Sequence, residues 1–186
     1  MDSDLSIGNI RRAVLIGRFQ PFHLGHLSAV KEILSEFDEA IIVIGSSQFS
    51  HTFDNPFTAG ERIEMIRLAL AEDGQDLSRI ITVTIPDIGE HPLWVARLKS
   101  MCPRFDVAYS NNPFVRLLLE EQNVKTREAQ LYAREELNAT KIRTLMAEGG
   151  DWRRYVPKSV GDYIEIIGGV DRVRIARGSA TSVLLR

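Results

Sequence analysis

The sequence contains a single cysteine, Cys102, so no disulfide can form within the chain and a cysteine-rich zinc site is excluded. No apolar run approaches the roughly 20 residues that a membrane-spanning helix needs. The formal net charge is only -2, so no broad basic field draws the chain to nucleic acid or to a membrane surface. The chain also lacks a Walker-type phosphate loop and a G-x-G-x-x-G fingerprint. Any phosphate chemistry must therefore use a different kind of loop.

What is present is typical of one globular domain. Hydrophobic residues make up 44% and charged residues 26% of the 186 residues, and we expect a single domain over 1–186. The start of the chain is polar and lacks the apolar stretch of a signal peptide, so we expect residues 1–11 to be a mobile lead and the protein to be cytoplasmic. Residues 171–186 show no clear apolar period, and we expect a loose tail there.

Strand-like and helix-like segments alternate along the chain. Nearly continuous apolar runs rich in β-branched residues predict strands that are covered on both faces. The alternation predicts an α/β fold of the Rossmann-like type, a parallel sheet with helices on both faces. The predicted strands cover residues 13–16, 40–44, 80–85 and 105–109, with a short fifth near 124–126. The predicted helices begin near Leu24, Thr58, Pro92, Pro113, Asn138 and Ser159. The stretch "TAGE", from Thr58 to Glu61, predicts a capping box at the start of the second helix.

The stretch "GRFQPFHLGH" leads from the first predicted strand into the first predicted helix. Ligands of such sheets bind beyond the carboxyl ends of the strands, where a helix N-terminus also presents unpaired N–H groups. Arg18, His23 and His26 add further hydrogen-bond donors at this place. The pattern predicts a phosphate cradle. The spacing of the two histidines also suits a metal pair, although no third ligand stands nearby in the sequence.

The same stretch resembles the H-x-G-H signature of the nucleotidyltransferase superfamily. With G-R-F-Q-P-F-H ahead of it, it is similar to archaeal-type nicotinamide-mononucleotide adenylyltransferases. Further stretches agree with that family in the same order, and the resemblance spans roughly Arg12 to Val170. They are "IIVIGSSQFSHTFDNPFTAGERIEMI", "IPDIGEHPLWV", "FDVAYSNNP" and "NATKIR".

The resemblance implies an enzyme of NAD biosynthesis. It would transfer the adenylyl group of ATP to the 5′-phosphate of nicotinamide mononucleotide, releasing pyrophosphate, with Mg²⁺ bound through the triphosphate and water instead of a protein metal site. Catalysis is expected to rest on His23, His26, Arg18 and Arg143. The expected ATP-binding residues are Gly17, Arg18, Phe19, His23, His26, Gly45, Ser46, Thr140 and Arg143.

Two further regions complete the expected site. In "NATKIR", Asn138 is a plausible helix N-cap, and the helix start would present Thr140 and Arg143 to the outer phosphates. The acceptor pocket is expected around the ends of the third and fourth strands, where Trp94 can stack on a flat cationic ring. The expected acceptor-binding residues are Asp87, His91, Trp94 and Asn111.

Several positions depart from the pattern of the family. Asp54 stands where a basic residue is frequent, and an acid there would repel a triphosphate unless it turns outward. Thr144 replaces the second of two arginines, while His91 and Asn111 alter the acceptor pocket. Three alternatives therefore stay open: nicotinate mononucleotide as acceptor, another acceptor such as pantetheine phosphate or flavin mononucleotide, and a nucleotide sensor without turnover. A homo-oligomer is expected from the resemblance, and nucleic-acid binding is not.

Overall fold

The computed structural model describes residues 10–129 and 138–183, with side chains through residue 179. Its strands are β1 (Arg12–Gly17), β2 (Glu39–Ile44), β3 (Ile80–Thr84), β4 (Val107–Tyr109) and β5 (Thr126–Arg127). Its helices are α1 (Leu24–Glu36), α2 (Ala59–Glu72), α3 (His91–Met101), α4 (Pro113–Glu121), α5 (Ala139–Glu148), α6 (Lys158–Ile166) and α7 (Gly169–Val183). The strands form one parallel sheet in the order β3-β2-β1-β4-β5, which confirms the predicted fold class.

The central strand supplies side chains to two cores, because successive residues of a strand point to opposite faces. Ala13 and Leu15 pack in a core with residues of α1, α2, α5 and α6. Val14 packs in the other core, with residues of α3 and α4. Both faces of β1 and β2 are thus covered, which explains why their sequences are apolar without alternation.

The strand order reverses between β1 and β4. From β1 the chain moves outward through β2 and β3, and it then returns to the other side of β1 for β4 and β5. The carboxyl ends of β1, β2, β3 and β4 meet at one edge of the sheet. This edge is where an open α/β sheet binds its ligands.

The predicted capping box at the start of α2 is confirmed. Thr58 Oγ1 accepts a hydrogen bond from the Glu61 main-chain N–H at 3.2 Å, and Glu61 Oε2 accepts one from the Thr58 N–H at 2.8 Å. Glu61 Oε2 also bonds Nη1 of Arg172 at 2.7 Å, which ties α7 to α2.

The expectation of a loose tail is wrong over the described part of residues 171–186, because residues 169–183 form α7. Val173 and Ala176 are buried on this helix, whereas the apolar Ile175 is 70% exposed, which obscures the helical period in the sequence. Gly168, with φ at +65°, separates α6 from α7. Residues 1–9 and 184–186 lie outside the described residues.

Within the described ranges, no helix is both long and apolar enough to cross a membrane.

Candidate active site

The turn from β1 into α1 is built around a reciprocal pair of histidines. Nδ1 of His23 accepts a hydrogen bond from the His26 main-chain N–H at 3.4 Å, and Nδ1 of His26 accepts one from the His23 N–H at 3.2 Å. The rings stack with centroids 3.6 Å apart. The two imidazoles thus form the capping box of α1, a role usually filled by hydroxyl and carboxylate side chains.

This arrangement fixes the protonation of both rings. Because each Nδ1 accepts a hydrogen bond, the proton of each neutral ring lies on Nε2, where it is a donor. Burial lowers the pKa of His23 to about 4. Burial and then the neighbouring His23 hold the pKa of His26 well below its ordinary value. In the ligand-free protein at neutral pH the histidines are therefore uncharged donors.

Two phenylalanines support the histidine pair. The ring of Phe19 is buried, and its centroid lies 4.7 Å from that of His26; the centroid of Phe22 lies 5.4 Å from the same ring. Phe19 also packs against the open side of Gly17, where an added Cβ would meet its ring at 3.0 Å. Phe19 was expected among the ATP-binding residues. In the structure its side chain packs against the His26 imidazole and holds that ring in place.

Gln20 joins this turn to two distant parts of the chain. Its buried side chain donates to the Phe57 carbonyl and accepts from the Phe57 N–H, both at 2.9 Å. Its own carbonyl accepts a hydrogen bond from Nη1 of Arg143, also at 2.9 Å. The β1–α1 turn, the β2–α2 loop and the start of α5 are thereby fixed against one another.

Arg143 lies on the first turns of α5 and is only 1% exposed. Its Nη2 donates to Thr140 Oγ1 and to Asp54 Oδ1, each at 3.2 Å, and its guanidinium carbon lies 5.6 Å from the ring centroid of Phe53. Burial lowers the pKa of Arg143, with Asp54 acting in the opposite direction. The helix start is capped as predicted, since Asn138 Oδ1 accepts from the Thr140 N–H at 2.8 Å.

A cavity of 470 Å³ opens at the carboxyl edge of the sheet, and its lining includes the turns after β1, β2, β3 and β4. Half-buried Trp94 and exposed His91 lie on α3 at this cavity, with the His91 ring 5.0 Å from that of Phe114 in an edge-to-face contact. The sequence-predicted residues that line it are Gly17, Arg18, Gly45, Ser46, Asp87, His91, Trp94 and Asn111. The structure does not bring the other predicted residues into this lining, namely Phe19, His23, His26, Thr140 and Arg143. They lie along the β1–α1 turn and the α5 start beside it.

Two of the expected acceptor residues are held by hydrogen bonds. Asp87 Oδ2 accepts from the Ser46 hydroxyl at 2.7 Å, which links the ends of β2 and β3. Asn111 Oδ1 accepts from the Ala129 N–H at 3.0 Å, which leaves its amide nitrogen as the group that can face a ligand. Both side chains are therefore pre-oriented at the edge of the cavity.

Sequence reasoning missed Gln20 and Arg62. Arg62 is fully buried on α2 and donates to main-chain carbonyls of the turns after β1 and β2. For Gln20, the only signal in the sequence is a polar residue between apolar ones in "FQPF". For Arg62, it is an arginine in the apolar stripe of a predicted helix.

Known proteins resemble this chain over most of its length. Residues 14–145 match the family described as Cytidylyltransferase-like. A nicotinamide-nucleotide adenylyltransferase of Pyrobaculum aerophilum is 47% identical over 168 residues, which cover 90% of this chain and 94% of that protein. The protein of the same name from Archaeoglobus fulgidus is 46% identical over 170 residues, covering 90% and 98%.

Among solved structures, a bifunctional NMN adenylyltransferase/ADP ribose pyrophosphatase from Francisella tularensis has a TM-score of 0.77 at 20% identity. The match covers 93% of this chain and 55% of that one, so this chain spans about half of the bifunctional protein. The structure of that protein complexed with AMP and a manganese ion has a TM-score of 0.74 at 21% identity, covering 93% and 54%. These likenesses bear on the fold. On the identity and coverage of the archaeal relatives, the chain belongs to the nicotinamide-nucleotide adenylyltransferases of the cytidylyltransferase-like family.

Proposed function

We propose that this protein transfers the adenylyl group of ATP to the 5′-phosphate of nicotinamide mononucleotide, giving NAD and pyrophosphate. The observation that carries the proposal is the hydrogen bond from Arg143 Nη1 to the Gln20 carbonyl at 2.9 Å. It joins two anion-binding elements that lie 123 residues apart in the sequence, beside a cavity large enough for a nucleotide. The names of the archaeal relatives support the same reaction.

The chemistry requires two polyanions to be held in line. The acceptor phosphate is already nucleophilic at neutral pH, so its oxygen attacks the α-phosphorus of ATP directly and the bond to pyrophosphate breaks. No covalent enzyme intermediate is needed, and the protein contributes positioning and charge stabilisation. Rate enhancement then depends on donors aimed at the phosphate oxygens where negative charge grows.

In this proposal the Nε2–H groups of His23 and His26 donate to phosphate oxygens at the start of α1. Neutral imidazoles suit this role, because they donate hydrogen bonds without the desolvation cost of a buried charge. Bound phosphate would favour the protonated rings and raise the pKa of both histidines. Arg18 and Arg143 supply the full positive charges, and the planar fork of Arg18 matches phosphate oxygens.

The acceptor would occupy the part of the cavity between α3 and α4. Trp94 offers a flat face to the pyridinium ring, and Asp87 and Glu90 place carboxylates in the same lining. These carboxylates favour the cationic amide form of the ring and disfavour the additional carboxylate of the nicotinate form. We therefore propose nicotinamide mononucleotide as the preferred acceptor.

Magnesium enters this proposal as part of the substrate MgATP. No group of three or more histidine, cysteine, aspartate or glutamate side chains in the described part of the chain could hold a metal ion. Mg²⁺ readily keeps several waters and binds through substrate phosphates, so the residues present fit a metal that arrives on ATP. When bound, it would neutralise part of the charge of the triphosphate. The resemblance also implies a homo-oligomer, which sedimentation velocity can check.

Purified protein incubated with ATP, Mg²⁺ and nicotinamide mononucleotide should release NAD and pyrophosphate in equal amounts. A panel with nicotinate mononucleotide, pantetheine phosphate and flavin mononucleotide, assayed for pyrophosphate, tests the acceptor. The absence of turnover at millimolar substrates, with ATP binding intact, would contradict the proposal and favour a nucleotide sensor.

A further inference from the structure

Arg62 is a fully buried cation whose hydrogen-bond partners are main-chain carbonyls. Its Nη1 donates to the carbonyls of Arg18 and Gly45, both at 3.0 Å, and its Nη2 donates to that of Ser46 at 3.3 Å. Its Nε donates to the Thr58 carbonyl at 3.2 Å within its own helix. Burial, followed by the nearby Arg18 cation, lowers the pKa of Arg62 to about 10. A buried cation whose partners among the described residues are all carbonyls is costly, which indicates that this geometry is needed.

Two of the carbonyls that Arg62 binds adjoin backbone in the left-handed conformation. Phe19, directly after the Arg18 carbonyl, has φ at +53°, and Ser46 has φ at +49°. Residues other than glycine seldom adopt this left-handed region, and they do so mainly where the surroundings hold them there. Arg62 bonds the Arg18 carbonyl, directly before Phe19, in the β1 turn and the Ser46 carbonyl in the β2 turn.

The bonds of Arg62 extend to both sides of the cavity. Arg18 lies on the phosphate side, whereas Ser46 Oγ donates to Asp87 Oδ2 at 2.7 Å on the acceptor side. One guanidinium thus bridges the turns after β1 and β2, beside the main-chain bond from the Gly45 N–H to the Gly17 carbonyl at 2.9 Å. A shift in the spacing between these turns would move ATP relative to its acceptor.

We propose that Arg62 is a positioning residue for adenylyl transfer, whose guanidinium fixes the distance between Arg18 on one turn and Ser46 with Asp87 on the other. This inference rests on the proposed function. Arg62 does not touch the reacting atoms in this role. It acts through the backbone of the two turns, which carry the groups that contact the substrates.

The geometry explains why an arginine is required. The carbonyls of Arg18, Gly45 and Ser46 lie around two nitrogens held in one plane, which only a guanidinium provides. Lysine would keep the positive charge, but its single nitrogen cannot span both turns. Arg62→Lys therefore separates the effect of geometry from that of charge.

Arg79 offers a matched control at the opposite edge of the sheet. Its Nε donates to the Asp38 carbonyl at 2.7 Å, and its Nη2 donates to the carbonyls of Leu34 at 2.8 Å and Phe37 at 2.7 Å. Arg79→Lys removes a comparable carbonyl-binding fork that lies far from the cavity. Both variants would be compared with wild type in ATP titration calorimetry, in kcat and KM per folded molecule, and in urea denaturation.

We expect Arg62→Lys to lower kcat by about tenfold or more, since small misplacements of reacting groups cost up to about 100-fold. Its ATP affinity should also fall, while Arg79→Lys keeps wild-type kcat and affinity and loses only stability. Equal kcat and ATP affinity in the two folded variants would overturn the inference. If the wild type lacks turnover, the proposed function has failed, and the ATP titrations still decide whether Arg62 positions the nucleotide site.

If Arg62→Lys does not fold, hydrogen exchange of the wild-type protein tests the inference instead. The Gly45 N–H bonds the Gly17 carbonyl at 2.9 Å and the Ser47 N–H bonds the Ile85 carbonyl at 3.3 Å, both beside the Arg62 contacts. If the turns are held before ligand binds, these amides exchange slowly without ATP, and added ATP changes them little. Fast exchange that becomes slow only with ATP would overturn the inference.

Discussion

The carboxylate of Asp54 accepts a hydrogen bond from the guanidinium of Arg143 at 3.2 Å, across 89 residues of sequence. The two partners differ in exposure, with the Asp54 side chain 71% exposed and that of Arg143 1% exposed. From the sequence, Asp54 was expected to repel a triphosphate unless it turned outward. In the structure its carboxylate instead pairs with Arg143, the cation that we propose binds the triphosphate. Because Arg143 is also held by the Gln20 carbonyl and Thr140, it does not depend on Asp54 for its position.

Asp54→Asn should therefore strengthen ATP binding. The substitution removes the negative charge that pairs with Arg143 and that would repel the phosphates, and we expect the KM for ATP to fall by about two- to fivefold, within the range of exposed ion pairs. The effect should shrink as salt is added. Asp38→Asn is the control, since Asp38 pairs with Arg11 at the other edge of the sheet. A higher KM for ATP in Asp54→Asn would instead give Asp54 a role in holding Arg143.

The stability of the protein should fall in mild acid because of the histidine pair. The folded state keeps His23 neutral down to a pKa of about 4, whereas the unfolded chain takes up a proton near pH 6.5. Between these values the unfolded state binds more protons, so the free energy of unfolding falls as the pH is lowered. His23 alone accounts for about 3 kcal/mol at pH 4, and His26 acts in the same direction.

Urea denaturation between pH 4 and pH 7.5 checks this expectation, with His23→Asn as the comparison. Asparagine keeps an N-cap acceptor at the start of α1 and removes the titrating group. The unfolding free energy of this variant should depend less on pH than that of the wild type. Parallel pH profiles of the two proteins would show that His23 does not titrate as its burial requires.

His26→Ala should lower kcat much more than it lowers stability. Loss of a preorganised donor at the phosphates costs about 10²–10³ in rate. Loss of the Nδ1 cap on the His23 N–H costs about 1 kcal/mol in unfolding free energy. Steady-state rates and urea denaturation measure the two effects separately.

His26→Gln separates capping from catalysis at the same position. Glutamine three residues after an N-cap can restore the capping bond to the His23 N–H, so this variant should regain stability. Its kcat should stay low if the imidazole Nε2–H acts on ATP. A wild-type kcat in either variant would show that His26 takes no part in catalysis.

Trp94→Ala should raise the KM for nicotinamide mononucleotide and leave the KM for ATP unchanged. Stacking of an aromatic ring on a flat cation contributes about 1–2 kcal/mol, which corresponds to about tenfold in KM. Trp94→Phe keeps a ring at this position and should lie close to wild type. The two KM values are measured from initial rates, with each substrate varied in turn. Equal changes in both values would argue that Trp94 has a structural role instead.

The sequence by itself determined the sheet, the helix caps and the chemistry of the first turn. Apolar runs such as 40–44 read as strands because a strand buried on both faces needs no polar residues. Thr58 and Glu61 predicted their helix start because capping depends on residues only three positions apart. The residues of "GRFQPFHLGH" lie within ten positions, so local spacing was enough to indicate an anion site.

Only the tertiary structure decided how distant residues share that site. The bonds of Arg143 to the Gln20 carbonyl and to Asp54, and the position of Arg62 between two turns, join segments separated by 16 to 123 residues. Such contacts leave no periodic signal, because each depends on where the crossovers place one buried side chain. The charge of the histidines was likewise undetermined, since a pKa follows from burial, and burial is set by the packing of the whole chain.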